Sequence, residues 1–130
     1  MLVVDSSALM AFIRDEDGAG IVEKHLTHGL LMSVVNYGET KGKLISGGSH
    51  TPVQVDAVFG QFAGLLELAE FDLAQAEGLA YFYARRNPYD LSLGDCACLA
   101  LAEARGLGVL TAEQWWKKLP GLRVKVKLIR

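Results

Sequence analysis

Short apolar segments alternate with longer segments of helical periodicity along this chain, and this alternation limits its fold more than any other feature. The apolar segments predict strands at Leu2–Val4, Leu30–Ser33, Leu65–Phe71, Gly108–Leu110 and Val124–Ile129. Helices are predicted over Ala8–Arg14, Ala19–Thr27, Val34–Ile45, from Thr51 onward, over Asp72–Arg86 and Ser92–Gly106, and briefly over Ala112–Lys118. Strands that alternate with helices favour a parallel sheet covered on both faces. We therefore predict a three-layer α/β/α sandwich with a central, mainly parallel sheet of about five strands.

Length and composition favour a single domain over residues 1–130. A chain of 130 residues of which 51% are hydrophobic can bury a core without disulfides. Its longest apolar run, Cys96–Ala102, is far shorter than the roughly 18 residues of a membrane-spanning helix. Because no signal-peptide pattern opens the sequence, we expect a cytoplasmic protein. Cys96 and Cys98 point to different faces of a predicted helix, so we expect two buried core thiols.

The overall charge argues against a protein held on nucleic acid by bulk electrostatics. Thirteen basic and fifteen acidic residues give a net charge of −2. Six of the thirteen basic residues nevertheless lie between Lys117 and Arg130, where there is no acidic residue. Lys125 and Lys127 alternate with apolar residues there, which predicts a half-exposed strand. These lysines either protect a sheet edge from pairing or contact nucleic acid.

Four acidic residues fall where predicted strands and helices meet. Asp5 follows the first strand, and Glu39 lies about one and a half turns into the helix after the second. Asp95 is in the first turn of the helix before the fourth strand, and Glu113 follows that strand. In a parallel sheet these positions approach one edge, where α/β proteins bind ligands. Each acid also has a local explanation, namely a helix cap at Asp5, a capping box at Ser92–Asp95, a helix-dipole interaction at Glu113 and solvent exposure at Glu39.

Clustered carboxylates carry an electrostatic cost that indicates a bound cation. Two like charges ~4 Å apart repel by roughly 4 kcal/mol at a surface-like dielectric. Such a cluster must hold protons at neutral pH or bind a cation. An all-oxygen site favours Mg²⁺ or Mn²⁺, which commonly neutralise phosphate charge and activate water.

Four segments resemble the motifs of the PIN domain family, in its VapC toxin branch. The first is VDSSA at the N-terminus, and the second is SVVNYGETKG, which contains Glu39. The third and fourth lie in LSLGDCACLALAEARGLGVLTAEQWW, which contains Asp95 and Glu113. The resemblance covers nearly the whole chain. It implies a metal-dependent endoribonuclease toxin of a toxin–antitoxin pair, in which a metal-activated water hydrolyses RNA phosphodiester bonds to give 5′-phosphate and 3′-hydroxyl ends.

The resemblance also implies roles for individual residues. Asp5, Glu39 and Asp95 are the expected core carboxylates for one or two Mg²⁺ or Mn²⁺ ions. Glu113 stands where the family usually has aspartate, so its extra methylene could shift a metal or make the contact indirect. Ser6 and Thr111 would orient a carboxylate or a water molecule, with helix capping as the alternative.

The same resemblance implies partners, namely an RNA substrate, a VapB-like antitoxin and a second copy of the chain in a homodimer. Met10, Phe12, Val58, Phe59 and Phe62 are candidates for receiving the antitoxin, although core packing is the favoured interpretation for most of them.

RNA binding near an acidic site requires basic residues, and solvated surface is the alternative for each candidate. The candidates are Arg14, Lys41, Lys43, Arg85, Arg86, Lys117 and Lys118. Trp115 and Trp116 face different ways, so we expect one in the core and the other free to stack on a base or a partner. His25, His28 and His50 lack ligand spacing and are predicted at the surface.

Two other functions are compatible with parts of the pattern. The first is a PIN-like protein that binds RNA or a partner without cleaving, which the glutamate at position 113 favours. The second is a receiver-like protein phosphorylated on Asp5. That function requires a second acid beside Asp5 and a lysine after a late strand, and the sequence has neither.

Overall fold

The computed structural model describes residues 1–130 as helices on both faces of one parallel sheet, so the predicted fold class is confirmed. The strands are β1 (Leu2–Val4), β2 (Leu30–Ser33), β3 (Leu66–Ala69), β4 (Val109–Thr111) and β5 (Val126–Leu128). The helices are α1 (Ser6–Ile13), α2 (Ala19–Leu26), α3 (Val34–Ser46), α4 (Pro52–Gln61), α5 (Leu73–Ala84) and α6 (Leu93–Arg105), followed by a 3₁₀ helix (Gln114–Lys118).

The sheet has the strand order β3-β2-β1-β4-β5, and every neighbouring pair is parallel. Val3 of the central strand β1 pairs with Leu31 on one side and with Val109 on the other. All five strands therefore end at the same edge. Ligand sites of open α/β sheets lie beyond this edge, where the strand order reverses.

Side chains that alternate along the strands build two cores, one on each face of the sheet. Val3 and Val109 pack with Leu99 of α6 on one face, whereas Val4 and Leu110 belong to the core of the other face. The two cysteines of α6 are free and buried, as predicted. Of the five apolar residues considered as antitoxin contacts, Phe62 belongs to the second core and Phe12, Val58 and Phe59 are half-buried against it, whereas Met10 is half-buried and belongs to neither core.

Helix caps explain where several helices begin. The carboxylate of Asp5 accepts a hydrogen bond from the Ala8 amide, so α1 starts two residues earlier than predicted. Thr51 begins α4 with a capping box followed by proline, and Asp72 caps α5 as predicted. A side-chain oxygen at these positions satisfies amides that the first helical turn leaves unpaired.

The strand β5 forms one edge of the sheet. Lys127 on this strand and Lys125 just before it are exposed and alternate with half-buried Val124 and Val126, as the sequence predicted. Charged side chains on an edge strand hinder pairing with another chain. No helix combines the length and the apolar character that crossing a membrane would require.

Candidate functional site

Three of the four predicted acids line one pocket beyond the carboxyl ends of the strands. Glu39 reaches it from α3, Asp95 from the first turn of α6, and Glu113 from the residue before the 3₁₀ helix. The cavity has a volume of about 230 Å³. Its other lining residues are Ser6, Ser7, Met10, Arg14, Glu16, Lys43 and Arg130. We call this cavity the acidic pocket.

Asp5, the fourth acid, lies buried behind the acidic pocket. Its carboxylate accepts hydrogen bonds from the Thr111 hydroxyl at 2.6 Å, from the Ala8 amide at 2.8 Å and from the hydroxyl of Ser7, a pocket residue, at 2.8 Å. Burial raises the pKa of this carboxyl group to about 7, the hydrogen bonds oppose that rise, and the charge of Asp95 adds to it. The helix-cap explanation and the sheet-edge prediction are therefore both correct for the position of Asp5.

Glu39 is held by contacts on both of its carboxylate oxygens. The Ser6 hydroxyl donates a hydrogen bond to Oε1 at 2.5 Å, and the Asn36 side-chain amide donates to the same atom at 3.3 Å. The Lys43 ammonium lies 3.3 Å from Oε2. Ser6 and Asn36 therefore fix the direction in which Glu39 faces the pocket.

Asp95 and Glu113 are tied to the backbone beside the pocket. Asp95 accepts a hydrogen bond from the Ser92 amide at 3.0 Å and forms the predicted capping box with that residue. Burial, together with the charge of Glu39, raises the pKa of Asp95. The amide of Glu113 donates to the Thr111 hydroxyl at 2.9 Å, and the same hydroxyl donates to Asp5.

The carboxyl group of Glu113 also has a raised pKa. The first cause is partial loss of contact with water at the pocket wall, and the second is the charge of Asp95. In the described arrangement, no three histidine, cysteine, aspartate or glutamate side chains are placed so that they could hold a metal ion together.

Gly94 leaves the space into which the Glu39 carboxylate fits. A Cβ atom on Gly94 would lie 2.5 Å from Oε2 and 2.6 Å from Oε1 of Glu39. The carbonyl oxygen of Gly94 also accepts a hydrogen bond from the Asn36 side chain at 2.9 Å, which joins α3 to the first turn of α6. A side chain at position 94 would therefore displace the carboxylate.

Gly94→Ala is expected to lower the free energy of unfolding by about 1–3 kcal/mol, the usual cost of an extra methyl group in occupied space. In a Glu39→Ala background the same substitution should instead stabilise the protein by up to about 1 kcal/mol, because alanine is the better helix former. Urea unfolding of the wild type, both single variants and the double variant measures this coupling.

Gly20→Ala is the matched control for Gly94→Ala. Gly20 also occupies the second position of its helix, α2, and a Cβ atom there would meet nothing within 4 Å. This variant should be as stable as the wild type or more stable. A loss in Gly94→Ala that persists after removal of the Glu39 carboxylate would contradict the steric explanation.

Two of the predicted basic residues lie at the pocket, and five do not. Arg14 and Lys43 line it. Lys41 instead pairs with Asp56 at 2.7 Å, because it faces α4 and not the pocket. The other four lie outside the pocket lining. Arg85 and Arg86 follow the end of α5 and lie over the rings of Tyr81 and Tyr83, respectively. Lys117 and Lys118 are exposed on the 3₁₀ helix.

Arg130 and Glu16 line the pocket although neither was predicted to do so. The guanidinium of Arg130 lies 3.6 Å from the Glu16 carboxylate and donates to the Asp17 carbonyl at 3.1 Å. Arg130 follows the last strand by two residues, so the rule that located Asp5 at a strand end also applies to it. Glu16 follows α1 in a turn and gave no such signal.

The aromatic prediction is confirmed, and the histidine prediction is only partly correct. Trp116 is buried in the core and Trp115 is exposed. His28 is exposed, whereas His25 and His50 are half-buried. The Nε2 atom of His25 is buried without a hydrogen-bond partner. This histidine lies on the inner side of α2, next to the buried Leu26.

The sheet order and the acidic pocket at its carboxyl edge define a class of α/β/α protein with a carboxylate-lined site. The family model of the PIN domain matches residues 2–122. The chain therefore belongs to the PIN domain family, which confirms the family resemblance and excludes the receiver-like alternative.

Solved structures share the fold at low sequence identity. The DNA-bound VapBC of Salmonella typhimurium aligns with a TM-score of 0.74 and 18% identity over 100% of both chains. VapC20 of Mycobacterium tuberculosis, described as a sarcin–ricin loop cleaving toxin, aligns with a TM-score of 0.73 and 17% identity over 96% of this chain and 99% of that one. PAE2754 of Pyrobaculum aerophilum aligns with a TM-score of 0.63 and 20% identity over 96% of this chain and 81% of that one. Sequence comparison with curated proteins finds no match.

Proposed function

We propose that this PIN domain is a metal-dependent endoribonuclease and the toxin of a toxin–antitoxin pair. The observation that carries the proposal is the acidic pocket, in which Glu39, Asp95 and Glu113 meet with Asp5 buried behind them. Capping and solvent exposure explain each acid singly, but they give no reason for all four to share one site. Shared carboxylates are suited to holding a cation against a phosphate.

The donor set fits a hard divalent cation. The lining of the acidic pocket has four carboxyl groups and three basic side chains, and Asp5 is buried behind it. Burial, and to a smaller extent neighbouring carboxylates, raise the pKa of Asp5, Asp95 and Glu113, and a bound cation would favour their charged forms. Mg²⁺ keeps several water ligands and binds directly through few carboxylates, so one or two Mg²⁺ or Mn²⁺ ions could be held here partly through water, although no three acids converge on one point. If such an ion were held by these carboxylates, it would supply a site that lowers the pKa of a water molecule and offsets the charge of the phosphodiester.

The residues around the carboxylates would orient them. Ser6 and Asn36 both donate to Oε1 of Glu39, which leaves Oε2 toward Lys43 and the pocket. Thr111 links Asp5 to the backbone of Glu113, so a shift of one acid moves the other. Hydrogen bonds of this kind hold metal-binding carboxylates in the orientation that a cation needs.

The proposed partners are an RNA substrate, a VapB-like antitoxin and a second copy of the chain. The structure of similar fold from Klebsiella pneumoniae is described as a toxin–antitoxin complex, and that from Salmonella typhimurium as DNA-bound VapBC, which supports an antitoxin for this chain. Phe12, Val58 and Phe59 are half-buried, and Phe59 and Phe62 line a cleft with a volume of about 260 Å³, so this cleft is a candidate surface for the antitoxin.

A PIN-like protein that binds RNA or a partner without cleaving is the second candidate. Two observations favour it: no three acids are placed to hold a metal ion together, and Glu113 is exposed at a position where the family usually has aspartate.

Incubation of the purified chain with structured and unstructured RNAs separates the two candidates. With Mn²⁺ or Mg²⁺ the nuclease should produce fragments with 5′-phosphate and 3′-hydroxyl ends, and EDTA should prevent their formation. RNA that is bound but left intact under all these conditions would support the non-cleaving function and overturn the nuclease proposal.

A further inference from the structure

Two exposed hydrophobic side chains follow or precede residues of the acidic pocket by two positions in the sequence. Trp115 is 59% exposed and follows Glu113 by two residues, and Leu93 is 57% exposed and precedes Asp95 by two. Since neighbouring Cα atoms are 3.8 Å apart, the Cα atoms of Trp115 and Glu113 lie within about 7.6 Å of each other. The backbone segment that carries the exposed indole ring is therefore directly continuous with the segment that carries Glu113, a residue of the pocket lining.

The surrounding contacts hold Trp115 in a defined position. Its neighbour Trp116 is 2% exposed and anchors the 3₁₀ helix in the core. The hydroxyl of Tyr89 donates a hydrogen bond to the Lys118 carbonyl at 3.1 Å, which fixes the end of the same helix. The Lys118 ammonium lies 5.0 Å from the centre of the Trp115 ring. The ring is thus presented on a fixed backbone with a cation beside it.

The charge around Trp115 favours a polyanion. Lys117 and Lys118 are exposed on the same helix, and no acidic residue follows Glu113 in the sequence. Unpaired bases stack on exposed aromatic rings while lysines contact the adjacent phosphates. A purely apolar protein partner would gain nothing from the lysines beside the ring.

We propose that Trp115 and Lys118 form a stacking site for an unpaired base of an RNA strand whose backbone crosses the acidic pocket. This inference rests on the proposed function and adds to it a pair of residues that would hold the RNA outside the acidic pocket. A double helix cannot use the site, because its bases are already stacked on one another.

Titration with single-stranded oligoribonucleotides in EDTA, followed by tryptophan fluorescence, tests the stacking site. Binding should quench the wild-type emission, and Trp115→Phe should bind with little quenching because only buried Trp116 remains. Trp115→Ala should weaken binding about tenfold, within the range for one stacked base. With Mn²⁺, kcat/KM for RNA cleavage should fall by a similar factor. Leu73→Ala is the control, since Leu73 is 78% exposed on α5 and should leave binding unchanged.

The possible outcomes separate this inference from the proposed function. Cleavage by the wild type together with unchanged RNA affinity in Trp115→Ala would overturn the stacking site and leave the nuclease intact. RNA binding that depends on Trp115, without cleavage by the wild type, would support the stacking site and overturn the proposed nuclease function. If Trp115→Ala binds RNA normally but loses a protein partner, the exposed ring is a protein-binding surface and the inference is wrong.

Discussion

Asp95→Asn is expected to reduce metal-dependent RNA cleavage more than a hundredfold and to leave the fold intact. Asparagine keeps an oxygen that can accept the hydrogen bond from the Ser92 amide, so the cap of α6 survives. It lacks the negative charge that a divalent cation requires, and charge stabilisation by a catalytic metal contributes several kcal/mol to the transition state. The rate of cleavage at fixed Mn²⁺ and the urea unfolding curve together measure both effects.

Asp56→Asn is the matched control for that substitution. Asp56 is an exposed aspartate on α4 that pairs with Lys41 and does not line the acidic pocket. Its loss should leave cleavage unchanged. If Asp95→Asn cleaved RNA at the wild-type rate, Asp95 would have no part in the reaction, and the acidic pocket would not be the active site.

Asp5→Asn is expected to stabilise the metal-free protein at pH 8. The pKa of Asp5 is about 7 in the folded protein, against an ordinary value of 3.8. When the pH lies between these two pKa values, Asp5 holds a proton in the folded state that it has released in the unfolded state. The free energy of unfolding therefore falls as the pH rises through this range. The total loss from this group is at most about 4 kcal/mol at pH 8. Asparagine has no charge to bury and should avoid most of that loss.

Urea unfolding at pH 5 and pH 8 in EDTA measures the effect. The wild type should be clearly less stable at pH 8, and Asp5→Asn should show a smaller difference between the two pH values. Mn²⁺ should restore stability to the wild type at pH 8 but not to Asp5→Asn, because ligand binding stabilises only the form that binds. Equal wild-type stability at both pH values in EDTA would show that burial does not raise the pKa of the Asp5 carboxyl group.

The sequence predicted the fold and the edge of the sheet at which the four acids lie, because both depend on local patterns. The alternation of strands and helices was sufficient for a parallel sheet. In such a sheet, a residue that follows a strand must lie at the carboxyl edge. Asp5 and Glu113 follow strands, and Asp95 begins a helix that packs at the same edge. Their positions therefore required no knowledge of distant contacts.

The contacts that complete the pocket could not be predicted because they join distant parts of the chain. Lys41 and Lys43 are two residues apart on α3, yet one faces Asp56 and the other Glu39. That difference depends on where α4 packs. Gly94 was also missed, because its function is to leave space for a side chain that lies 55 positions earlier in the sequence.

The two buried cysteines make the protein well suited to site-specific labelling. Burial raises the pKa of the Cys96 thiol to about 11 and that of Cys98 well above its ordinary value, so neither forms the thiolate that reacts with maleimides. If a single cysteine is introduced on the surface, a fluorophore or a spin label should therefore react with that cysteine and not with the two native ones. The native thiols need not be replaced first, and the helix that carries Asp95 stays unaltered in every labelled sample.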